Sequence, residues 1–205
     1  MEAWLEIVIR QIILYSLPML ISLTAVCMFE ARCVNKPLPY AFYSLNWRGA
    51  WLPWLASIAL HRGIIFALPQ PLGQGINAAA LRLVAHIILS VLGFLLYTWS
   101  LQHASVVGLP PLHHWWAKIL MFFNLCMAFL HLLPMPGMLC GEWVLSRLAR
   151  RWPIVAERLQ AWDDKKLVWL WVLVAASPLP DAILGAYGIF PVYAQMATWA
   201  YALAR

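Results

Sequence analysis

Long apolar runs are the feature that most constrains the fold of this chain. A helix needs about 20 apolar residues to cross a bilayer, and the first run extends from Trp4 to Phe29. Five further runs follow along the sequence: Gly49–Leu68, Ala78–Trp99, Trp115–Leu133, Leu167–Ser177 and Asp181–Ala204. The pattern predicts an all-α polytopic membrane protein with five to six transmembrane segments.

Composition excludes several other classes of protein. Apolar residues make up 64% of the chain and charged residues 11%, against about 45–50% and about 25% in soluble domains. A soluble globule and a disordered tail are therefore excluded. The net charge of +6 is carried by short clusters between apolar runs, which indicates contact with the lipid bilayer and not with nucleic acid. The four cysteines form no CxxC pair, so neither a zinc ribbon nor a disulfide framework is indicated.

The run Gly49–Leu68 differs from the others because Pro53 interrupts it and His61 and Arg62 fall at membrane depth. Basic connections follow the first run and precede the fifth, and basic loops favour the cytoplasmic side. Both connections lie on that side if Gly49–Leu68 enters and leaves without crossing. The preferred topology is therefore five spanning helices and one re-entrant segment, with the N-terminus outside and the C-terminus inside. Six full spans remain the alternative.

The chain is expected to form a single integral membrane domain over residues 1–205. Its predicted parts are the first helix and a cytoplasmic connection (1–48), a re-entrant segment or short helix (49–77), core helices (78–141), a basic cytoplasmic connection (142–166) and two closing helices (167–205).

One segment after the fourth run resembles a family motif. Residues 123–141, FNLCMAFLHLLPMPGMLCG, resemble the N-L-x-x-A-x-F-N-L-L-P-I-P-P-L-D-G-G segment of the site-2 protease family of intramembrane metalloproteases. Three further stretches, Ala31–Pro39, Leu45–Pro53 and Phe66–Pro71, are similar to other motifs of the family and occur in its order. The resemblance implies a site-2 protease-like helical core, and the short bacterial branch of the family implies a bacterial inner (cytoplasmic) membrane.

The resemblance also implies where catalytic residues would stand. The family holds zinc with two His of a helical HExxH motif, whose Glu is the general base, and with the Asp of an L-D-G turn. Here the HExxH positions carry Leu23, Thr24 and Cys27, and the Asp position carries Leu139, or Cys140 after a one-residue shift. The chain is thus expected to be a pseudoprotease with no cofactor, and Glu30 lies nearby without a flanking His.

A noncatalytic scaffold or complex subunit is the preferred function. Helix-breaking prolines would leave backbone groups open to an extended peptide, so a partner transmembrane segment is expected to bind in this region. The predicted partner-binding residues are Asn124, His131, Pro134, Pro136 and Gly141.

Three alternatives remain open. The first is an atypical intramembrane metallopeptidase with a remodelled site at Cys27, His131 and Cys140, since thiolate and imidazole suit soft metals. The second is bis-His haem ligation by His86 and His131. The third, a transporter, is disfavoured because the sequence shows no repeats and because Arg82 is expected to reach the interface by snorkelling.

Overall fold

The computed structural model describes residues 2–42, 48–68, 72–103, 110–160 and 164–204, without the side chains of residues 158, 160 and 164. Every regular element in these ranges is helical. The α-helices are α1 (Glu2–Cys33), α2 (Arg48–Ala59), α3 (Gly75–Gln102), α4 (Leu112–Leu130), α5 (Leu139–Arg151), α6 (Pro153–Gln160), α7 (Asp164–Ala176) and α8 (Phe190–Ala204). A π-helical stretch, Asp181–Ile189, leads directly into α8.

Two helices, α1 and α3, are long and apolar enough to cross a membrane. A third span results if α7 and the helix that begins at Asp181 count as one broken helix bent by 68°. The prediction of an all-helical membrane protein is therefore confirmed, but five or six spans are not reached by this measure. α2 is too short to cross, because its 12 residues extend over about 18 Å. α4 is longer, but its histidines, Lys118 and Asn124 reduce its mean hydropathy.

The segment predicted as re-entrant forms a buried hairpin, defined here as residues 48–68. α2 ends beside the start of α1, where Trp4 Nε1 donates to the Ala59 carbonyl at 3.1 Å. The chain then turns back as an extended stretch, Ile64–Leu68, in which each residue is at most 3% exposed. After this stretch, Lys36 near the end of α1 donates to the Leu72 carbonyl. The hairpin thus reaches one end of α1 and returns toward the other.

The centre of the protein is a tight contact between α3 and α4. A Cβ atom on Gly93 would lie 2.4 Å from the backbone nitrogen of Met121, so only glycine permits this approach, as at helix contacts in membranes. Ser90 Oγ donates to the Met121 carbonyl at 3.1 Å on one side of the contact. On the other side, Tyr97 packs against His114 with 5.0 Å between ring centroids.

The hairpin fills the core on the opposite face of α4. Its extended stretch packs with Phe123, Met127 and Trp171, and the Phe66 and Trp171 ring centroids lie 5.8 Å apart. The tip is attached to the break between α7 and the π-helical stretch. There, Asp181 accepts from the backbone N–H groups of Gly63 and Ile64 at 3.2 and 2.7 Å.

Candidate functional site

A cluster of buried polar side chains lies where α1, α3 and α4 meet. Its members share an interior position, with exposures of 0 to 3%: Ser22, Glu30, Arg82, His86, Asn124 and His131. Ionisable and polar side chains in this position carry a desolvation cost unless they are bonded. The cluster is therefore the leading candidate for a functional site in the described part of the chain.

An ion pair closes one end of the cluster. Glu30 Oε1 lies 2.6 Å from an Arg82 nitrogen and also accepts from the Gly73 N–H at 2.9 Å. The second Arg82 nitrogen donates to the Gly137 carbonyl at 3.0 Å. The expectation that Arg82 snorkels to the interface is therefore wrong, because a carboxylate and carbonyl oxygens compensate its charge inside the protein. We call the ion pair of Glu30 and Arg82, with its bonds to Gly73 and Gly137, the clasp. It joins α1, α3 and the two turns before α3 and α5.

A second, separate set of hydrogen bonds joins α1, α3 and α4. Asn124 Nδ2 donates to Ser22 Oγ and to the Leu120 carbonyl, each at 2.8 Å. Its Oδ1 therefore faces His86 Nδ1, also at 2.8 Å. Because an amide oxygen only accepts, His86 carries its proton on Nδ1. The other ring nitrogen, Nε2, keeps a lone pair that is buried without a hydrogen-bond partner.

His131 lies against His86 with the opposite proton arrangement. The Leu139 N–H donates to His131 Nδ1 at 3.2 Å, so the neutral ring carries its hydrogen on Nε2. The two ring centroids are 6.4 Å apart. One ring thus presents a lone pair and the other an N–H, but no hydrogen bond joins the two rings.

The predicted partner-binding residues separate into two groups. Asn124, His131 and Gly141 are buried, and a Cβ on Gly141 would lie 1.8 Å from the Met135 carbonyl oxygen. Pro134 is exposed and Pro136 is half-buried in the turn after α4. The first group is occupied by contacts within the chain, so a partner could reach only the turn.

The positions that the resemblance assigns to catalytic residues lie on α1 and at the start of α5. Leu23 and Cys27 are each 1% exposed on α1, and Thr24 Oγ1 accepts from the Phe42 N–H at 3.5 Å. Leu139 and Cys140 are half-buried at the start of α5. Within the described ranges, no three His, Cys, Asp or Glu side chains gather in a metal-binding group. The motif residues Leu45–Trp47 and Pro69–Pro71 lie outside those ranges.

Sequence reasoning missed the clasp and the pairing of His86 with Asn124. Arg82, His86 and Ser90 follow one another at a spacing of four residues, which places them on one face of a helix. That spacing was the available signal for an inward polar face on α3. The partner Glu30 stands 52 residues away, and no local pattern connects the two.

No protein-family model, curated protein or solved structure matches this chain. The class that the fold and the site define is accordingly a broad one. The chain is an all-helical protein with two or three helices able to cross a membrane, and a bonded polar cluster connects them.

Proposed function

We propose that this protein is a noncatalytic membrane scaffold or complex subunit, with a site-2 protease-like helical core, that holds a transmembrane segment of a partner in a bacterial inner membrane. The observation that carries the proposal is that most polar groups of the cluster are already bonded within the chain. The carboxylate, the amide and the Nδ1 atoms of both rings bind groups of the same chain, whereas the Nε2 atoms of His86 and His131 have no hydrogen-bond partner among the described residues. Such a network fixes a shape, and it leaves no ligand set for hydrolysis at the expected positions.

The exposed turn after α4 is the proposed contact for the partner. Leu132 is 62% exposed, and the neighbouring Pro134 has no N–H to donate. This apolar surface suits an apolar helix in lipid. The backbone N–H groups of Leu132, Leu133 and Met138 are bonded within the chain, so side chains would make the contact. The buried members Asn124, His131 and Gly141 would then shape this surface from inside.

Site-directed photo-crosslinking tests the proposal. A photoreactive residue at Leu132 should capture one polypeptide at a fixed ratio, and that polypeptide should co-purify with the unmodified chain in mild detergent. A photoreactive residue at Leu95, which is 56% exposed on α3, is the matched control and should capture lipid. Capture of lipid alone from both positions would overturn the proposal.

The proposal includes five spanning helices and a re-entrant hairpin, with the C-terminus inside. Cysteines placed at Gln102 and at Arg158 should then be labelled from opposite sides of the membrane. The path of the hairpin supports this, since it approaches the start of α1 at Ala59 and returns to Leu72 at the end of α1. Labelling of both positions from one side contradicts the topology.

Elemental analysis distinguishes the scaffold from the atypical metallopeptidase. The scaffold should contain no stoichiometric zinc after purification without chelators. One zinc per chain, lost on changing Cys27 and Cys140 to serine, would replace the scaffold with the metallopeptidase.

A further inference from the structure

A lateral cleft separates the N-terminal halves of α1 and α4. Its volume is about 430 Å³, which lies in the range of small-molecule sites. Farther along, the same helices are joined by the bond from Asn124 to Ser22, so the cleft is a local opening between two tied helices. Its walls include Ile7, Arg10, Gln11, Lys118, Phe122 and Tyr193.

Two cations line this cleft. Arg10 and Lys118 form no ion pair with any described side chain, and the Lys118 ammonium lies 5.6 Å from the centroid of the Trp115 ring. Gln11 also belongs to the wall, but its Oε1 is buried and closed to a ligand in the cleft. The cations attract an anion such as a phosphate.

The position of the cleft indicates that its ligand comes from the bilayer. Trp4 lies in the first turn of α1 and Trp115 in the first turn of α4, and tryptophans favour the headgroup level of a membrane. Arg10 and Lys118 follow these tryptophans by six and three residues. Exposed Leu5, Ile9 and Ile13 continue the apolar surface of α1 beside the cleft.

We propose that this cleft binds an anionic glycerophospholipid such as phosphatidylglycerol. Its phosphate lies between Arg10 and Lys118, and an acyl chain lies along Ile7 and Phe122. Basic pockets between membrane helices bind anionic headgroups in this way. The site is independent of the scaffold function proposed above.

Nearby acidic groups should make Arg10 and Lys118 differ in how much each contributes to phosphate binding. Glu2 and Glu6 line a neighbouring groove on α1 together with Arg10, and they offset its charge. No acidic side chain lines the cleft beside Lys118. Lys118 should therefore contribute more to phosphate binding than Arg10, and Glu6→Gln should strengthen binding.

For the test, the full chain is placed in nanodiscs of equimolar phosphatidylglycerol and phosphatidylcholine. The protein is then released from the nanodiscs, and native mass spectrometry identifies the lipids that it retains. The wild type should retain phosphatidylglycerol in preference to phosphatidylcholine. A basic residue near a membrane surface contributes about 1 kcal/mol, so Lys118→Gln should reduce the preference about 5-fold. Arg10→Gln should reduce it less, and Leu14→Trp, which fills the cleft without changing the charge, should abolish it.

Arg150→Gln is the matched control, because it removes the same charge from an exposed position on α5. It should leave the preference unchanged, and the thermal unfolding of each variant checks its fold. Equal losses in Lys118→Gln and Arg150→Gln overturn the proposal, as does equal retention of both lipids. Displacement by millimolar inorganic phosphate would identify a free-anion site, and a photoreactive Leu14 that captures a polypeptide would identify a protein site; either result also overturns it.

Discussion

Two carboxylates accept hydrogen bonds from the backbone of the buried hairpin and of the residues that follow it, but they differ in burial and in ion pairing. Glu30 accepts from the N–H groups of Leu72 and Gly73 where the chain leaves the hairpin, and Asp181 accepts from Gly63 and Ile64 at its tip. Glu30 is fully buried and paired with Arg82. Asp181 is half-buried and forms no ion pair within the described ranges, since the nearby Arg62 donates to the Ala176 carbonyl.

The difference shows how burial determines the partner that a charge needs. A carboxylate sealed in low dielectric requires a counter-charge as well as hydrogen bonds, and Arg82 supplies it while joining two further carbonyls. A half-buried carboxylate retains some solvation, so two N–H donors are sufficient. Glu30 should therefore stabilise the whole bundle, and Asp181 should stabilise mainly the tip.

Breaking the clasp should have the largest effect. Glu30→Gln leaves the Arg82 charge uncompensated and should lower the free energy of unfolding by about 3–5 kcal/mol. Unfolding by sodium dodecyl sulfate in mixed micelles measures this loss. Glu6→Gln, the same change at an exposed position on α1, should have little effect.

The double variant Glu30→Gln/Arg82→Met sharpens this result. It removes both charges while the glutamine oxygen can still accept from Gly73, so it should regain most of the lost stability. A double variant as unstable as the sum of the single variants would show that the two charges act independently.

Asp181→Asn should have the next largest effect. Hydrogen bonds to a charged group contribute about 1.5–3 kcal/mol, and asparagine keeps one acceptor oxygen. Hydrogen–deuterium exchange should increase at Gly63 and Ile64 and remain unchanged at Gly73. In Glu30→Gln the increase should include Gly73, and the same pattern in both variants would contradict the division between tip and bundle.

Asn124→Leu should cost about 1–2 kcal/mol, since hydrogen bonds between membrane helices contribute about 0.6 to 1.7 kcal/mol each. The change leaves the His86 Nδ1–H without its acceptor and also removes the link to Ser22. The same unfolding titration measures the loss. A loss as large as that of Glu30→Gln would show that this neutral set of hydrogen bonds, and not the clasp, is the main polar tie.

Ser22→Ala should have the smallest effect, about 0.6 kcal/mol. Asn124 keeps its bonds to His86 and to the Leu120 carbonyl in this variant. Comparison with Asn124→Leu therefore gives the combined contribution of the bonds to His86 and to the Leu120 carbonyl.

The apolar runs predicted the long helices well. Trp4–Phe29 lies within α1 and Ala78–Trp99 lies within α3, because hydropathy over 20 residues is a strong local signal. Five or six spans are not reached by length and composition, because short apolar runs such as Leu167–Ser177 form helices too short to cross alone.

The sequence predicted less of the candidate site than of the long helices. The motif analysis identified Asn124 and His131, and both are in the cluster, but their partners depend on which helix faces meet. Glu30 and Arg82 are separated by 52 positions, and the angle at which α1 packs on α3 decides whether they touch. Pro53 was expected to interrupt its segment, yet it lies inside α2, where Ser57 Oγ donates to its carbonyl at 2.9 Å.

The contact of Gly93 with Met121 divides the polar side chains of α3 into two groups. Arg82 and His86 lie on one side of it, and Tyr97 and Ser100 lie on the other. With backbone atoms 2.4 Å from where even a methyl group would lie, a water molecule has no space between the helices there. No row of water molecules can therefore run along the α3–α4 contact from His86 to His114.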